Sequence, residues 1–283
     1  MREPLRLPVS DSSLAVTVEG SGPPVLLLHG IGSSRESFDR QFPLLARRYR
    51  CIAWDAPGYG ASEDPVRAPG MDGYAAAAAT VLRQLGAVPA HVLGVSWGGV
   101  IATRLALAHP GSVRSLILAD STRGAGASPD RGAAMRARGD ELDVAGPWEF
   151  AVQRAPRLLS PNAPAALVHD VAAAMAQSIR NPGYCWAAEA MADTDHLDAL
   201  HRLEIPTLVL VGEHDTVTTV EASRELATTI PGARLEVIPG AGHLANQERP
   251  SNFNDLLVDF LDEIERDRER RPAAHTSGGS QAT

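Results

Sequence analysis

Gly94-Val95-Ser96-Trp97-Gly98 follows the apolar run His91-Val92-Leu93 and precedes a helical pattern. A Gly-x-Ser-x-Gly pentapeptide in that setting makes a turn so tight that glycines must flank the serine. A strained backbone then lifts the hydroxyl into open space. Lacking a Cβ, Gly94 and Gly98 let strand and helix approach on either side. The chemistry on offer is nucleophilic. A serine hydroxyl attacks poorly at neutral pH, so it needs a base beside it and an acid to orient that base. Both follow in chain order at the ends of strand-like runs: Gly212-Glu213-His214-Asp215 after 207–211, and Gly240-Ala241-Gly242-His243 after 234–238. His196, His201 and His214 lack the spacing of a zinc site, and Gly58-Tyr59-Gly60 lacks the third glycine and the helix of a nucleotide fingerprint. No metal and no cofactor is expected.

These residues can meet only if the elements bring them to one place. Short β-rich runs alternate with helical patterns, the sign of a mostly parallel sheet covered on both faces. Leu14–Val18 reads as an early edge strand, and Val25–His29 and Cys51–Asp55 as strands buried on both sides. Asp72–Leu85 reads as a helix with Tyr74, Ala78, Val81, Leu82 and Leu85 on one stripe and Gly86 just past its end. A further helix carries Ile101, Leu105 and Ala108, and Val113–Ala119 is a strand. The rhythm stops from about Thr122 to Leu203, a stretch rich in Ala, Arg and Pro that is too long for a structureless loop. It resumes with a strand at 206–211, a helix at 220–230 and a strand at 234–238. A last helix starts near Ser251 as its cap, with Phe253, Leu256, Leu257, Phe260, Leu261 and Ile264 at helical spacing. In open α/β sheets the strand C-termini converge where ligands bind, so Ser96 and the two later loops share one rim. The expected organisation is a core of residues 1–121 and 204–266, a helical cap over 122–203 and a disordered tail over 267–283.

Bulk properties narrow the partners. The chain has 283 residues, 44% of them apolar, and a formal net charge of −8. Mixed charges of that balance offer no basic face for nucleic acid or an anionic membrane. No long apolar stretch follows the start, so neither a signal peptide nor a membrane span is expected. Cys51 and Cys185 lie far apart without CxxC spacing, which reads as two free thiols and a cytoplasmic setting. The expected partner is a small molecule.

With these residues in place the sequence resembles the α/β-hydrolases over nearly all of residues 14–265. His29-Gly30-Ile31-Gly32 is similar to the family's oxyanion loop, and Asp55-Ala56-Pro57-Gly58-Tyr59-Gly60-Ala61-Ser62 to its common turn after the next strand. The resemblance implies an α/β-hydrolase fold with Ser96 as nucleophile, His243 as general base and Asp215 as orienting acid. The backbone N–H groups of Ile31 and Trp97 would form the oxyanion hole. Asp120 is the competing acid, because some members place it after that strand; Glu213 reads as surface or supporting. A serine at the elbow argues against epoxide and halide chemistry, which use aspartate there. The stretch Gly183–Ala190, Asp193-Thr194-Asp195 and Ile205-Pro206-Thr207 resembles the cap of 3-oxoadipate enol-lactonases, with Trp97 where those enzymes carry methionine. The implied activity is hydrolysis of a carboxylic ester or lactone through an acyl-enzyme. Carbon–carbon hydrolysis of a vinylogous diketone, cofactor-free peracid formation and non-catalytic ligand binding are the alternatives. For a substrate carboxylate, Arg123, Arg154 and Arg157 are the candidate cations, and Trp148 and Trp186 the candidate pocket walls.

Overall fold

The computed structural model describes residues 3–270. Eight short segments pair into one sheet: β1 (Leu5–Val9), β2 (Ser12–Glu19), β3 (Pro24–Leu28), β4 (Arg50–Trp54), β5 (Ala90–Val95), β6 (Val113–Ala119), β7 (Thr207–Gly212) and β8 (Arg234–Ile238). Their spatial order is β1-β2-β4-β3-β5-β6-β7-β8. The β1–β2 and β2–β4 pairs are antiparallel and the rest are parallel. β5 and β7 are buried along their whole length, as expected of strands covered on both faces.

The edge differs from the sequence reading. β2 lies inside and β1 takes the rim, where alternate residues Leu7 and Val9 are buried while Pro8 sits at an outermost strand that tolerates its missing N–H. That proline masks the strand in the sequence.

Helices α1 (Phe42–Leu45), α2 (Gly70–Gln84), α3 (Trp97–Ala108), α4 (Pro129–Ala145), α5 (Pro147–Arg154), α6 (Ala165–Ser178), α7 (Gly183–Ala192), α8 (Leu197–Leu200), α9 (Val220–Thr229), α10 (Ala245–Glu248) and α11 (Pro250–Arg270) complete the chain. One apolar core joins α2 and α3 to one sheet face and continues into α4–α7; the other joins α1 and α11 to the opposite face. Between β6 and β7 the described residues form only helices and connecting turns, and this helical insertion stands over the strand ends. Gly86, at φ +59, follows the end of α2 as the sequence suggests.

The last helix departs from expectation at both ends. It begins at Pro250, so Ser251 lies inside it; proline suits a first helical position because its missing N–H would lack a partner anyway. It also runs through residues 267–270, four residues into the stretch expected as tail. Arg268 pairs with Glu265 and Arg266 bonds the Asp262 carbonyl along that final turn. The remainder of that expected tail, 271–283, lies outside the described residues.

Candidate active site

Ser96 joins β5 to α3 with φ +54 and ψ −118. A side-chain-bearing residue held there stores on the order of 1–3 kcal/mol of strain, tolerated only where surroundings overdetermine it. They do so here. The Ser96 N–H donates to the Ala119 carbonyl at 2.8 Å, and its own carbonyl accepts from Gly99 N–H at 2.9 Å and the Ser121 hydroxyl at 2.7 Å. A Cβ on Gly98 would run into the backbone of Leu28 and His29, and one on Gly94 into the carbonyl of Gly98. Glycine is required at both by close approach rather than by torsion.

His243 stands in the loop after β8 and Asp215 in the loop after β7. The imidazole Nε2 lies 3.0 Å from Ser96 Oγ, and Nδ1 lies 2.9 Å from Asp215 Oδ2. A carboxylate only accepts, so Nδ1 carries the proton and Nε2 receives the serine's. Asp215 Oδ1 accepts from the N–H groups of Val217 and Thr218 at 2.8 and 2.9 Å, and Oδ2 from the Thr218 hydroxyl at 2.7 Å. Burial alone would raise the Asp215 carboxyl. The His243 ring and the hydrogen bonds from His243 and Thr218 outweigh it and hold the group below the usual carboxylate range.

The loop after β3 closes the other side. His29 is fully buried; its Nε2 accepts the Ala56 N–H at 3.0 Å, leaving Nδ1–H to donate to the Gly30 carbonyl at 2.8 Å. Burial pushes the ring below its ordinary range, so it remains a neutral prop for the loop. Asp55 ties the neighbouring turn, accepting from the Arg35 side chain and, at 2.9 Å, from the Ala61 N–H. Gly30 is in van der Waals range of Ser96: a Cβ there would lie 3.4 Å from the serine Cβ. Ile31 thus stands beside Ser96. Trp97 opens α3, where the first N–H groups have no intrahelical acceptor and the helix dipole favours negative charge.

A cavity of about 570 Å³ joins Ser96, His243, Gly30 and Ile31 to the insertion. Leu158, Leu167, Val171 and Met175 give it an apolar wall, and Arg138, Arg154, Arg157 and Tyr184 a cationic and polar one. Among the described residues no three His, Cys, Asp or Glu side chains gather as metal ligands. No helix among them is long and apolar enough to cross a membrane.

Residues 23–250 match the alpha/beta hydrolase fold family. This chain is an α/β-hydrolase. It is 29% identical over 242 residues to 3-oxoadipate enol-lactonase 2 of Acinetobacter baylyi, covering 83% of this chain and 87% of that protein. It is 34% identical over 279 residues to polyketide synthase ThaQ of Burkholderia thailandensis, covering 90% of this chain but only 12% of that much longer protein. Among solved structures, a hydrolase from Pseudomonas aeruginosa PA01 superposes with a TM-score of 0.84 at 31% identity, covering 91% of this chain and 98% of that one.

In this α/β-hydrolase the structure brings Ser96, His243 and Asp215 together, and sends the other acids elsewhere. Asp120, fully buried at φ +46, accepts from Gly212 N–H at 2.8 Å and Ala245 N–H at 3.2 Å; its place is beneath the two loops. Glu213 is exposed and accepts from Gly240 N–H at 2.9 Å.

Three expected pocket residues are not at the cavity. Arg123 is engaged outside by Asp195 and Glu225, at 3.5 and 3.4 Å. Trp148, half exposed, stands edge-on to His169 because α5 turns Phe150 and Ala151 inward instead. Trp186 is half-buried on α7 beside the inward Tyr184 and Ala187, without lining the cavity. Arg154 does line it, paired with Glu141 and 4.2 Å over the Phe150 ring, and so does Arg157. Arg138 was not foreseen. Nothing in the sequence sets it apart from Arg131 and Arg136 on the same helix; its inward place follows from the packing of α4 on α7, where a Cβ on the adjacent Gly139 would strike Cys185.

Proposed function

We propose that this α/β-hydrolase cleaves a carboxylic ester or lactone through an acyl-enzyme on Ser96. One observation carries the reading: a strained serine hydroxyl 3.0 Å from a histidine whose other nitrogen is held 2.9 Å from a buried carboxylate. His243 takes the proton as Ser96 Oγ attacks the carbonyl carbon. The N–H groups of Ile31 and Trp97 hold the developing oxyanion, and the protonated histidine returns its proton to the departing alkoxide. Water, deprotonated by the same imidazole, then attacks the acyl carbonyl and releases the acid. Helices of residues 122–203 act as a lid and set the substrate. Arg138, Arg154 and Arg157 favour a substrate bearing a carboxylate, a fit supported by the relative named as an enol-lactonase.

The test is a panel of p-nitrophenyl esters, lactones and ring-cleavage diketones, each with and without an added carboxylate, on wild type and Ser96→Ala. Hydrolysis of esters or lactones should prevail and fall by on the order of 10⁴ or more in the variant. Preference for the diketones, or near-normal turnover by Ser96→Ala, overturns the reading. So does failure of folded wild type to react with a fluorophosphonate at Ser96.

A further inference from the structure

The loop that carries His243 is held from two sides, and only one of them is the core. On the core side the buried Asp120 accepts the Ala245 N–H. On the other side stands Glu248, at the end of α10 and 7% exposed. A buried carboxylate must be satisfied by donors. Among the described residues Glu248 has no cationic partner, and its donors come from the loop just before it and from the helical insertion. Its Oε2 accepts from Gly242 N–H at 2.8 Å and Ser160 N–H at 3.0 Å, and its Oε1 accepts from the Ser160 hydroxyl.

Gly242 is the residue immediately before the imidazole. The residue immediately after it, Leu244, donates its N–H to the Leu158 carbonyl at 3.1 Å. Both neighbours of His243 are therefore bonded, one through Glu248 and one directly, to Leu158–Ser160 of the helical insertion. The contact is close backbone to backbone: a Cβ on Gly242 would run into Leu159 and Ser160. Gly242 thus serves approach here, just as the glycines of the elbow do.

We propose that Glu248 is a positioning residue that fixes His243 by seating the lid segment 158–160 against the loop of the base. The inference rests on the acyl-enzyme reading above. Admission of substrate cannot proceed by lifting this edge of the lid without displacing the histidine, so this edge is the fixed one. Displacement of about 1 Å at a reacting group can lower a rate on the order of 10²-fold, which sets the scale of effect.

Glu248→Leu removes both acceptor oxygens and leaves the three donors without them; glutamine could keep all three contacts, its NH₂ donating to the Ser160 hydroxyl. Ser160→Ala removes the hydroxyl bond alone, from the lid side. With the best ester of the panel, Glu248→Leu should lower kcat about 10- to 100-fold with KM changed less than about two-fold. Ser160→Ala should lower kcat less, and the double variant should be no slower than Glu248→Leu, because both act on one contact. A Glu248→Leu enzyme that melts lower yet keeps wild-type kcat well below its melting temperature overturns the proposal, and so do fully additive losses. If Glu248→Leu does not fold, unchanged kcat in Ser160→Ala overturns it instead. Ser96→Ala separates the two levels: turnover surviving there sinks the acyl-enzyme reading itself, whereas a dead Ser96→Ala beside a normal Glu248→Leu sinks only the role of Glu248.

Discussion

Asp120 and Asp215 are neighbouring carboxyls with opposite surroundings. Burial first, and then the charge of Asp215, push the Asp120 group well above the usual range, whereas Asp215 is held below it. The difference lies in their donors: the His243 ring and the four hydrogen bonds around Asp215 outweigh its burial, and the two backbone N–H bonds to Asp120 do not outweigh its own. Asp215→Asn should therefore lower kcat by on the order of 10³–10⁴, since an amide can no longer fix the imidazole tautomer. Asp120→Asn keeps one acceptor for its two backbone donors. It should cost about 1–3 kcal/mol of stability while leaving kcat within about ten-fold of wild type. Ester assays and denaturant melts on both variants check the pair. Ser96, Asp215 and His243 were legible in the sequence because each sits in a short motif at a strand end, where local pattern and topology agree. Glu248 and Arg138 were not. Their surroundings come from residues 88 positions away in one case and from a helix–helix face in the other.

At the scale of elements, the β5–α3 turn is a packing device as well as the bearer of the proposed nucleophile. Gly98→Ala forces its Cβ into the backbone of β3, which cannot give way without moving a central strand. The variant should be largely insoluble or melt far below wild type, a result that expression yield and thermal unfolding would show. Strands and long helices were readable because their apolar residues repeat at the spacing of the buried face. β1 was missed because a proline interrupts a short alternating run, and the pocket tryptophans were misassigned because composition does not reveal which way a helix turns its face. Trp148 illustrates the point: of the two aromatic residues of α5, Phe150 is buried and Trp148 is left outside. Trp148→Ala should change kcat/KM by less than about two-fold, in contrast to Arg138→Gln, which should weaken carboxylated esters selectively.

The whole molecule carries two further histidines that bear on pH. Burial first, then Arg114, lowers His91 to about 4; burial first, then Arg104, lowers His196 to about 4. His91 sits between the Ser115 hydroxyl at 2.7 Å and Glu265 at 3.2 Å, and His196 faces the Val100 carbonyl at 3.2 Å. As pH falls from the ordinary histidine value of 6.5 toward 4, the unfolded chain takes up protons that the native state resists. Native stability is thus full above that window, is lost progressively within it, and suffers no further loss from these groups below it. Melting temperature should decline from about pH 7 to about pH 4.5, and His91→Gln should flatten that decline even if it lowers the starting value. The Asp215 contribution fails later, once the pH drops through its depressed carboxyl range.

The helical insertion leaves the end of β6 and comes back to its own start before the chain crosses to β7: the His196 N–H donates to the Arg123 carbonyl at 2.9 Å and the Gly126 N–H to the Thr194 carbonyl at 2.8 Å. Its two roots therefore stand side by side, whatever the excursion between them. Closing such a detour depends only weakly on its length, with each doubling or halving worth about 0.6 kcal/mol. The sheet is consequently an exchangeable chassis: foreign helical segments of quite different size can be spliced between residues 123 and 196 without unpicking the strands. A graft that omits an equivalent of Leu158–Ser160 should yield a well-folded but sluggish catalyst, its imidazole unmoored.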